Sequence, residues 1–269
     1  MSVNSHHLRV TLVQVNAGRD MQGNLGRMKQ LLAGIGATDV IALPEVFAIR
    51  GSDKDFRDSA QSLAGPLMNF MIAVAHRHNA WVLAGSIVEN DGPAAYNTSV
   101  LIDRRGRIAA SYRKIHLFEA ELDSGQTIRE SDLWKAGTES VMADLEGWRC
   151  GMAICYDLRF PELFRRYSSE GAHLFFVPSN FTQRTGRDHW DILLRARAIE
   201  NQCFVVAPDQ CGTNPHNGVA SHGNSMIIGP WGEVLTRIEE GEHAVTVTLD
   251  IHDLEKTRKS IPSLAHRKM

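Results

Sequence analysis

The chain has 269 residues, 43% of them hydrophobic, with 29 basic against 31 acidic side chains and a formal charge of -2. That is ample material for a large core, while the balanced charge and the lack of a long Lys/Arg run exclude the electrostatic footprint of a nucleic-acid binder. No apolar stretch approaches the roughly 18 residues of a membrane span and no leader-like N-terminus appears, and four scattered cysteines without a C-x-x-C pair suggest free thiols in a reducing, cytoplasmic setting.

In chain order, residues 8–15 (LRVTLVQV) read as a buried strand and residues 24–35 (NLGRMKQLLAGI) as an amphipathic helix. A short apolar run with a proline near its end, VIALPE, covers 40–45. A helix-like segment at 66–78 leads into a strand at 81–88, WVLAGSIV. This alternation predicts an α/β fold with a largely buried sheet. From Ala95 the pattern changes to paired strands, AAYNTSVLID and IAASYRK, joined by the turn RRGR at 104–107, which is an antiparallel hairpin inside a mixed sheet.

After a loop at 115–137 the strand signal returns in ESVMADLEGWRCGMAIC, and its end puts Cys155 at a strand terminus. Alternation along that strand is expected to send Cys150 and Cys155 to opposite faces. PELFRRYSSEG, LFFVPSNF, DHWDILLRARAIEN and CFVVAPDQ then alternate helix and strand. In the second of these helices Asp188 is the expected N-cap, with Trp190, Leu193, Leu194 and Ile199 on the apolar face. Strand regions GNSMIIGPWGEVLTRI and HAVTVTLD precede a charged tail helix at about 250–259. No linker, low-complexity tract or repeat interrupts residues 1–269, so a single domain is expected.

Three strand ends carry reactive side chains. Glu45 closes an apolar run, where a carboxylate is out of place unless paired or used. Lys114 closes IAASYRK. Cys155 sits at a strand-to-helix turn, where backbone amides can point at a developing negative charge. Each alone reads as a solvated charge or an inert buried thiol. Together they supply a base for a thiol and a cation for an oxyanion, the needs of thiol-based acyl transfer. The 12 histidines include no H-x-x-x-H pair with a supporting acid, and no glycine pattern follows a strand in the dinucleotide manner, so neither metal nor cofactor is expected.

LPE at 43–45, YRKIHLF at 112–118 and CYDLRFPELFR at 155–165 resemble the nitrilase, or carbon-nitrogen hydrolase, superfamily, and the resemblance runs from the first strand to the tail helix. TGRDHWDILLRARAIENQCFVVAPDQCG at 185–212 and HGNSMIIGPWGEV at 222–234 are most similar to its Nit branch, nearer the deaminated-glutathione amidases than the ω-amidases. The resemblance implies a four-layer αββα sandwich with mixed sheets, a homodimer, and an amidase that needs no cofactor. The reaction implied is hydrolysis of the amide of a small carboxylated substrate, deaminated glutathione favoured, to carboxylate and ammonia through a thioester. It assigns Cys155 as nucleophile, Glu45 as general base, Lys114 as stabiliser of the tetrahedral intermediate, and Glu130 as a second acid near the lysine, with Glu119 and Glu121 competing in the same loop.

By the same resemblance the N–H of Tyr156 is the second oxyanion donor, and Asn180 and Phe181 face the pocket. Arg159 either receives a substrate carboxylate or forms a structural ion pair with Asp157 or Glu162. His189 and Trp190 read as packing, with His189 as a possible border of the pocket. The alternatives are an ω-amidase acting on α-ketoglutaramate-type substrates, a papain-like thiol hydrolase with a histidine partner, and a catalytically silent binding protein of the same fold.

Overall fold

The computed structural model describes residues 6–121 and 127–268, in which alternating strands and helices build two halves of similar design. The first contains β1 (His7–Gln14), α1 (Met21–Ala33), β2 (Val40–Ala42), α2 (Asp53–Ser59), α3 (Pro66–His78), β3 (Trp81–Asp91), β4 (Ala94–Ile102) and β5 (Ile108–Arg113). A small hairpin of β6 (Glu119–Glu121) and β7 (Thr127–Arg129) follows. The second half contains β8 (Met142–Leu145), β9 (Trp148–Met152), α4 (Pro161–Ser169), β10 (Leu174–Phe176), α5 (Gln183–Asn201), β11 (Phe204–Ala207), β12 (Ser225–Ile228) and β13 (Val234–Ile238). β14 (His243–Asp250) returns to the first half, and α6 (Ile251–Ser260) ends the regular structure, its N-terminus capped by Asp250 accepting the His252 N–H at 3.0 Å.

Two six-stranded mixed sheets result, ordered β14-β1-β2-β3-β4-β5 and β13-β12-β11-β10-β9-β8. Each has a parallel centre, β1-β2-β3 in one and β9-β10-β11 in the other, flanked by antiparallel strands. Alternation sorts the side chains. Val10, Leu12, Val40 and Ala42 face the second sheet and pack in one cluster with Trp148, Met152 and Phe176, while Val13, Ile41 and Val82 face α1 and α3. Packed on both faces, β1, β2 and β3 bury apolar side chains at consecutive positions such as Leu12–Val13, Val40–Ala42 and Val82–Ala84. The helices α4 and α5 cover the outer face of the second sheet, which completes the four-layer αββα sandwich.

The sheet edge that carries LPE depends on a bulge in β3. The pairing of β3 with β4 shifts register between Ala84 and Ile87, and Gly85 lies in that irregularity. A Cβ on Gly85 would stand 1.8 Å from the Pro44 carbonyl oxygen and 2.4 Å from that of Leu43. Only a bare Cα lets the segment leading to Glu45 cross here. The next residue, Ser86, receives the Val46 N–H on its hydroxyl at 3.0 Å.

The structure departs from the sequence reading at the Cys155 turn and in α5, and the loop expected at 115–137 carries the β6–β7 hairpin. The strand before Cys155 ends at Met152, and Cys155–Arg159 forms a 3-10 turn, so strand alternation does not extend to Cys155 and cannot orient it against Cys150. Helix α5 starts at Gln183 with Thr182 as N-cap, its first bond running from the Gly186 N–H to the Thr182 carbonyl at 2.8 Å, and Asp188 instead lies exposed in the helix beside Arg187. The polar stretch QRTGR has no apolar period to announce a helix. Ile199 is 51% exposed, because the buried stripe of α5 runs through Trp190, Leu194 and Ala198 and leaves Ile199 about 140° round from its centre.

Two alanine substitutions test the close approach. Gly85→Ala is expected to cost about 3 kcal/mol, the upper range for forced overpacking. Gly26→Ala on the exposed side of α1, where nothing lies within 4 Å, is expected to stabilise by about 1 kcal/mol. Urea midpoints measured side by side check both signs.

Candidate active site

Four strands deliver the reactive side chains at the same end of the sandwich. Glu45 lies three residues past β2, Lys114 directly follows β5, Glu130 directly follows β7, and Cys155 lies three residues past β9. Lys114, 1% exposed, has its Nζ 2.9 Å from Glu45 Oε1 and 2.9 Å from Glu130 Oε2. Its backbone is clamped as well, donating to the Asn97 carbonyl at 2.9 Å and accepting the Gly137 N–H at 2.8 Å. Glu45 Oε1 also accepts the Asn97 side-chain amide at 2.8 Å, and the Glu45 carbonyl accepts that of Gln210 at 2.9 Å. Glu130 Oε2 accepts the Phe118 N–H at 2.8 Å. Glu119 and Glu121 are exposed, and Glu119 is bonded to Ser131, so of the three loop acids it is Glu130 that meets the lysine.

Burial works against the charge on Lys114, but the carboxylates of Glu130 and Glu45 outweigh it and hold the ammonium well above the ordinary lysine value. Burial pushes Glu130 up to about 7, with Lys114 pulling down and Glu45 pushing up. Burial likewise drives the Cys155 thiol well above its ordinary value, Glu45 adds to the rise, and Lys114 and the Asn180 backbone N–H oppose it. The resting thiol is therefore neutral, and its proton must leave as the sulfur attacks. Charges gathered in a dry pocket are a poor means of stabilising a fold and a common mark of a reaction site.

The backbone is strained at two points. Cys155 has φ 48° and Val46, next to Glu45, has φ 46°. Left-handed backbone is costly for any non-glycine residue and most so for a branched one. The turn at Cys155 is held by the Cys155 N–H donating to the Pro178 carbonyl at 3.0 Å. Its first internal bond is the Asp157 N–H to the Ile154 carbonyl, 3.0 Å, which leaves the Tyr156 N–H ahead of the ladder. Asp157 ties this turn to the first sheet, accepting the Tyr112 hydroxyl at 2.7 Å, the Ile154 N–H at 2.8 Å and the His116 N–H at 3.0 Å.

A cavity opens over the thiol, and the expected residues Glu45, Glu130, Cys155, Tyr156, Arg159, Asn180 and Phe181 all line it. Asp157 is committed elsewhere, and Arg159 meets no carboxylate among the described residues; its guanidinium lies 3.3 Å from His189 Nδ1, between the Tyr156 and Phe181 rings. The ion-pair alternative for Arg159 is thus corrected. So is the packing reading of His189, which is exposed, whereas Trp190 is buried and donates to the Asn224 carbonyl at 2.8 Å. Among the described residues no histidine is hydrogen-bonded to Cys155, and no group of three or more His, Cys, Asp or Glu is arranged to hold a metal.

Sequence reasoning missed Asn97, Gln210 and Arg50. Asn97 had a signal, a polar residue inside the apolar strand AAYNTSVLI. Gln210 and Arg50 reach the site through contacts distant in the chain, which no local pattern encodes.

Residues 9–259 match the carbon-nitrogen hydrolase family. The chain is 37% identical over 262 residues to a Synechocystis sp. protein named deaminated glutathione amidase, covering 95% of this chain and 96% of that one. Among solved structures it is similar to the C. elegans NitFhit protein, with a TM-score of 0.90 and 33% identity over 97% of this chain and 65% of that longer one. It is also similar to Saccharomyces cerevisiae Nit3, a member of branch 10 of the nitrilase superfamily, with a TM-score of 0.87 and 28% identity over 97% of each chain.

Two variants test the buried charges. Lys114→Met leaves two buried carboxylates facing each other and is expected to cost about 3–5 kcal/mol in urea unfolding at neutral pH. Because the folded value of Glu130 is raised, its contribution is fully present below about 4.5 and is lost as pH rises through about 7. The stability of wild type relative to Glu130→Gln should therefore fall between those pH values, and parallel stability curves would contradict the assignment.

Proposed function

The chain belongs to the carbon-nitrogen hydrolase family and is an amidase, and from that premise we propose that it hydrolyses deaminated glutathione with Cys155 as nucleophile. The observation that carries the site assignment is Lys114 Nζ held 2.9 Å from both Glu45 and Glu130, with all three groups acting electrostatically on the Cys155 thiol. The substrate assignment is supported by the relatives that bear that activity in their name.

In this reading Glu45 takes the thiol proton as sulfur adds to the amide carbon. The oxyanion is received by the Lys114 ammonium and the Tyr156 N–H. Glu45 returns the proton to the departing nitrogen, the C–N bond breaks, and a thioester remains. Glu45 then deprotonates water, which adds to the thioester; collapse expels the thiol, which regains its proton, and frees the carboxylic acid. Glu130 holds Lys114 in place and, with its raised value, buffers the charge of the pair. The amide of deaminated glutathione is a peptide-type linkage, so its leaving group is the amine of cysteinylglycine, whereas a primary amide such as α-ketoglutaramate releases ammonia.

Arg159, facing the cavity without a carboxylate partner among the described residues, is assigned to a substrate carboxylate, and Asn180 and Phe181 to the pocket wall. Residues 1–269 act as one domain in this reading. A homodimer is supported by an exposed apolar rim of Ile199, Trp231 and Ile261 around one surface hollow, and a cytoplasmic setting by four buried free thiols.

Amine or ammonia release from deaminated glutathione, α-ketoglutaramate, an N-carbamoyl amino acid and a simple nitrile tests the proposal. Turnover of deaminated glutathione that disappears in Cys155→Ala is expected; preference for α-ketoglutaramate would move the enzyme to the ω-amidases, and silence across the panel would mark a binding protein. Arg159→Lys should raise KM for carboxylated amides about tenfold more than for neutral ones, because lysine lacks the two-pronged geometry.

A further inference from the structure

We infer that Arg50 is a positioning residue which, through Ser221, fixes the Asn180 side chain with its N–H donors toward the thiol pocket, so that the pocket selects amides carrying an oxygen acceptor, above all an anionic one. This rests on the amidase reading given above and extends it to the choice of substrate.

Arg50 is 0% exposed. Its Nε donates to the Ala17 carbonyl at 3.1 Å, its Nη2 to the Cys211 carbonyl at 3.0 Å and to Asn16 Oδ1 at 2.5 Å, and its Nη1 to Ser221 Oγ at 2.5 Å. Every one of these acceptors is neutral, and among the described residues no carboxylate stands within ion-pair distance. Burial lowers the guanidinium to about 10, which leaves it charged at neutral pH. Asp209 acts on it only from beyond ion-pair distance, and burial drives that carboxyl well above the usual range. A buried cation without a counter-ion is expensive to keep, and this one lies beside the cavity over Cys155.

The direction of the hydrogen bonds follows from chemistry. A guanidinium only donates, so Ser221 Oγ must accept from it, and the single hydroxyl proton is sent onward to Asn180 Oδ1 at 2.6 Å. With its carbonyl so engaged, Asn180 is left with Nδ2, which makes no hydrogen bond among the described residues. Asn180 lines the cavity, and its own backbone N–H bears on the Cys155 sulfur. A free donor thus stands on the residue whose backbone N–H bears on the reacting thiol, with a buried guanidinium behind it. Without Arg50, Ser221 could donate in either direction, and the Asn180 amide could rotate to offer an acceptor instead.

The test compares deaminated glutathione with its neutral dimethyl ester in the full-length enzyme, following amine release, which reports amide and not ester cleavage. Asn180→Asp is expected to reduce kcat/KM for deaminated glutathione about ten- to hundredfold, mainly through KM, and to change the diester far less. Ser221→Ala should lower the preference for the acid in the same direction by about three- to tenfold while keeping the guanidinium. Arg50→Met should lose the preference too, and if it fails to fold the other two variants still decide. A ratio of acid to diester unchanged in Ser221→Ala and Asn180→Asp, with wild-type turnover intact, would overturn the relay and leave the amidase reading standing. Wild type with no Cys155-dependent turnover of either compound would instead remove that reading, and the relay with it.

Discussion

An ammonium ion shut away from water between two carboxylates is the constraint on which the rest of this molecule is organised. Lys114 retains its charge because Glu45 and Glu130 both lie at 2.9 Å, and neither acid would be tolerated at that depth without the lysine. Such an arrangement contributes little to folding. Its value is that the groups are already in position, desolvated and of mixed sign, before any substrate arrives, so little reorganisation is needed when charge develops on the reacting atoms.

The fold serves that arrangement through the ends of its strands. β2 and β5 bring Glu45 and Lys114 from one sheet, β9 brings Cys155 from the other, and Asp157 spans the two by accepting from Tyr112 of β5 and from Ile154 at the Cys155 turn. The local costs are visible: the left-handed backbone of Val46 and Cys155, a bulge in β3 that admits only glycine at position 85, and a cation at Arg50 with no counter-ion among the described residues. The apolar layers between and outside the sheets, which run up to Ile154, Cys155 and Phe181, outweigh these costs.

How much of this was legible in the chain depended on the range of the interaction. The α/β alternation, the hairpin of β4 and β5 and the tail helix follow from local patterns of apolar residues and turns, and they lie where those patterns put them. Glu45, Lys114, Glu130 and Cys155 were legible because their chemistry allows few substitutes and their flanking motifs are distinctive. The turn at Cys155 was not, since nothing in GMAIC distinguishes a strand that stops at Met152 from one that runs on. The early start of α5 was hidden by the polar, glycine-containing stretch QRTGR. Arg50 reads in sequence as an ordinary charge after an apolar run, and its meaning comes only from Ser221, 171 positions away.

In the proposed reaction the acyl group passes through the sulfur of Cys155. The most direct measurement is acid quenching of wild-type enzyme within milliseconds of mixing with deaminated glutathione, followed by mass spectrometry of the peptide that contains Cys155. An α-ketoglutaryl thioester is expected on that peptide, formed before the steady state and absent once substrate is exhausted. Substrate consumption with an unmodified Cys155 peptide at every time point would contradict that reaction.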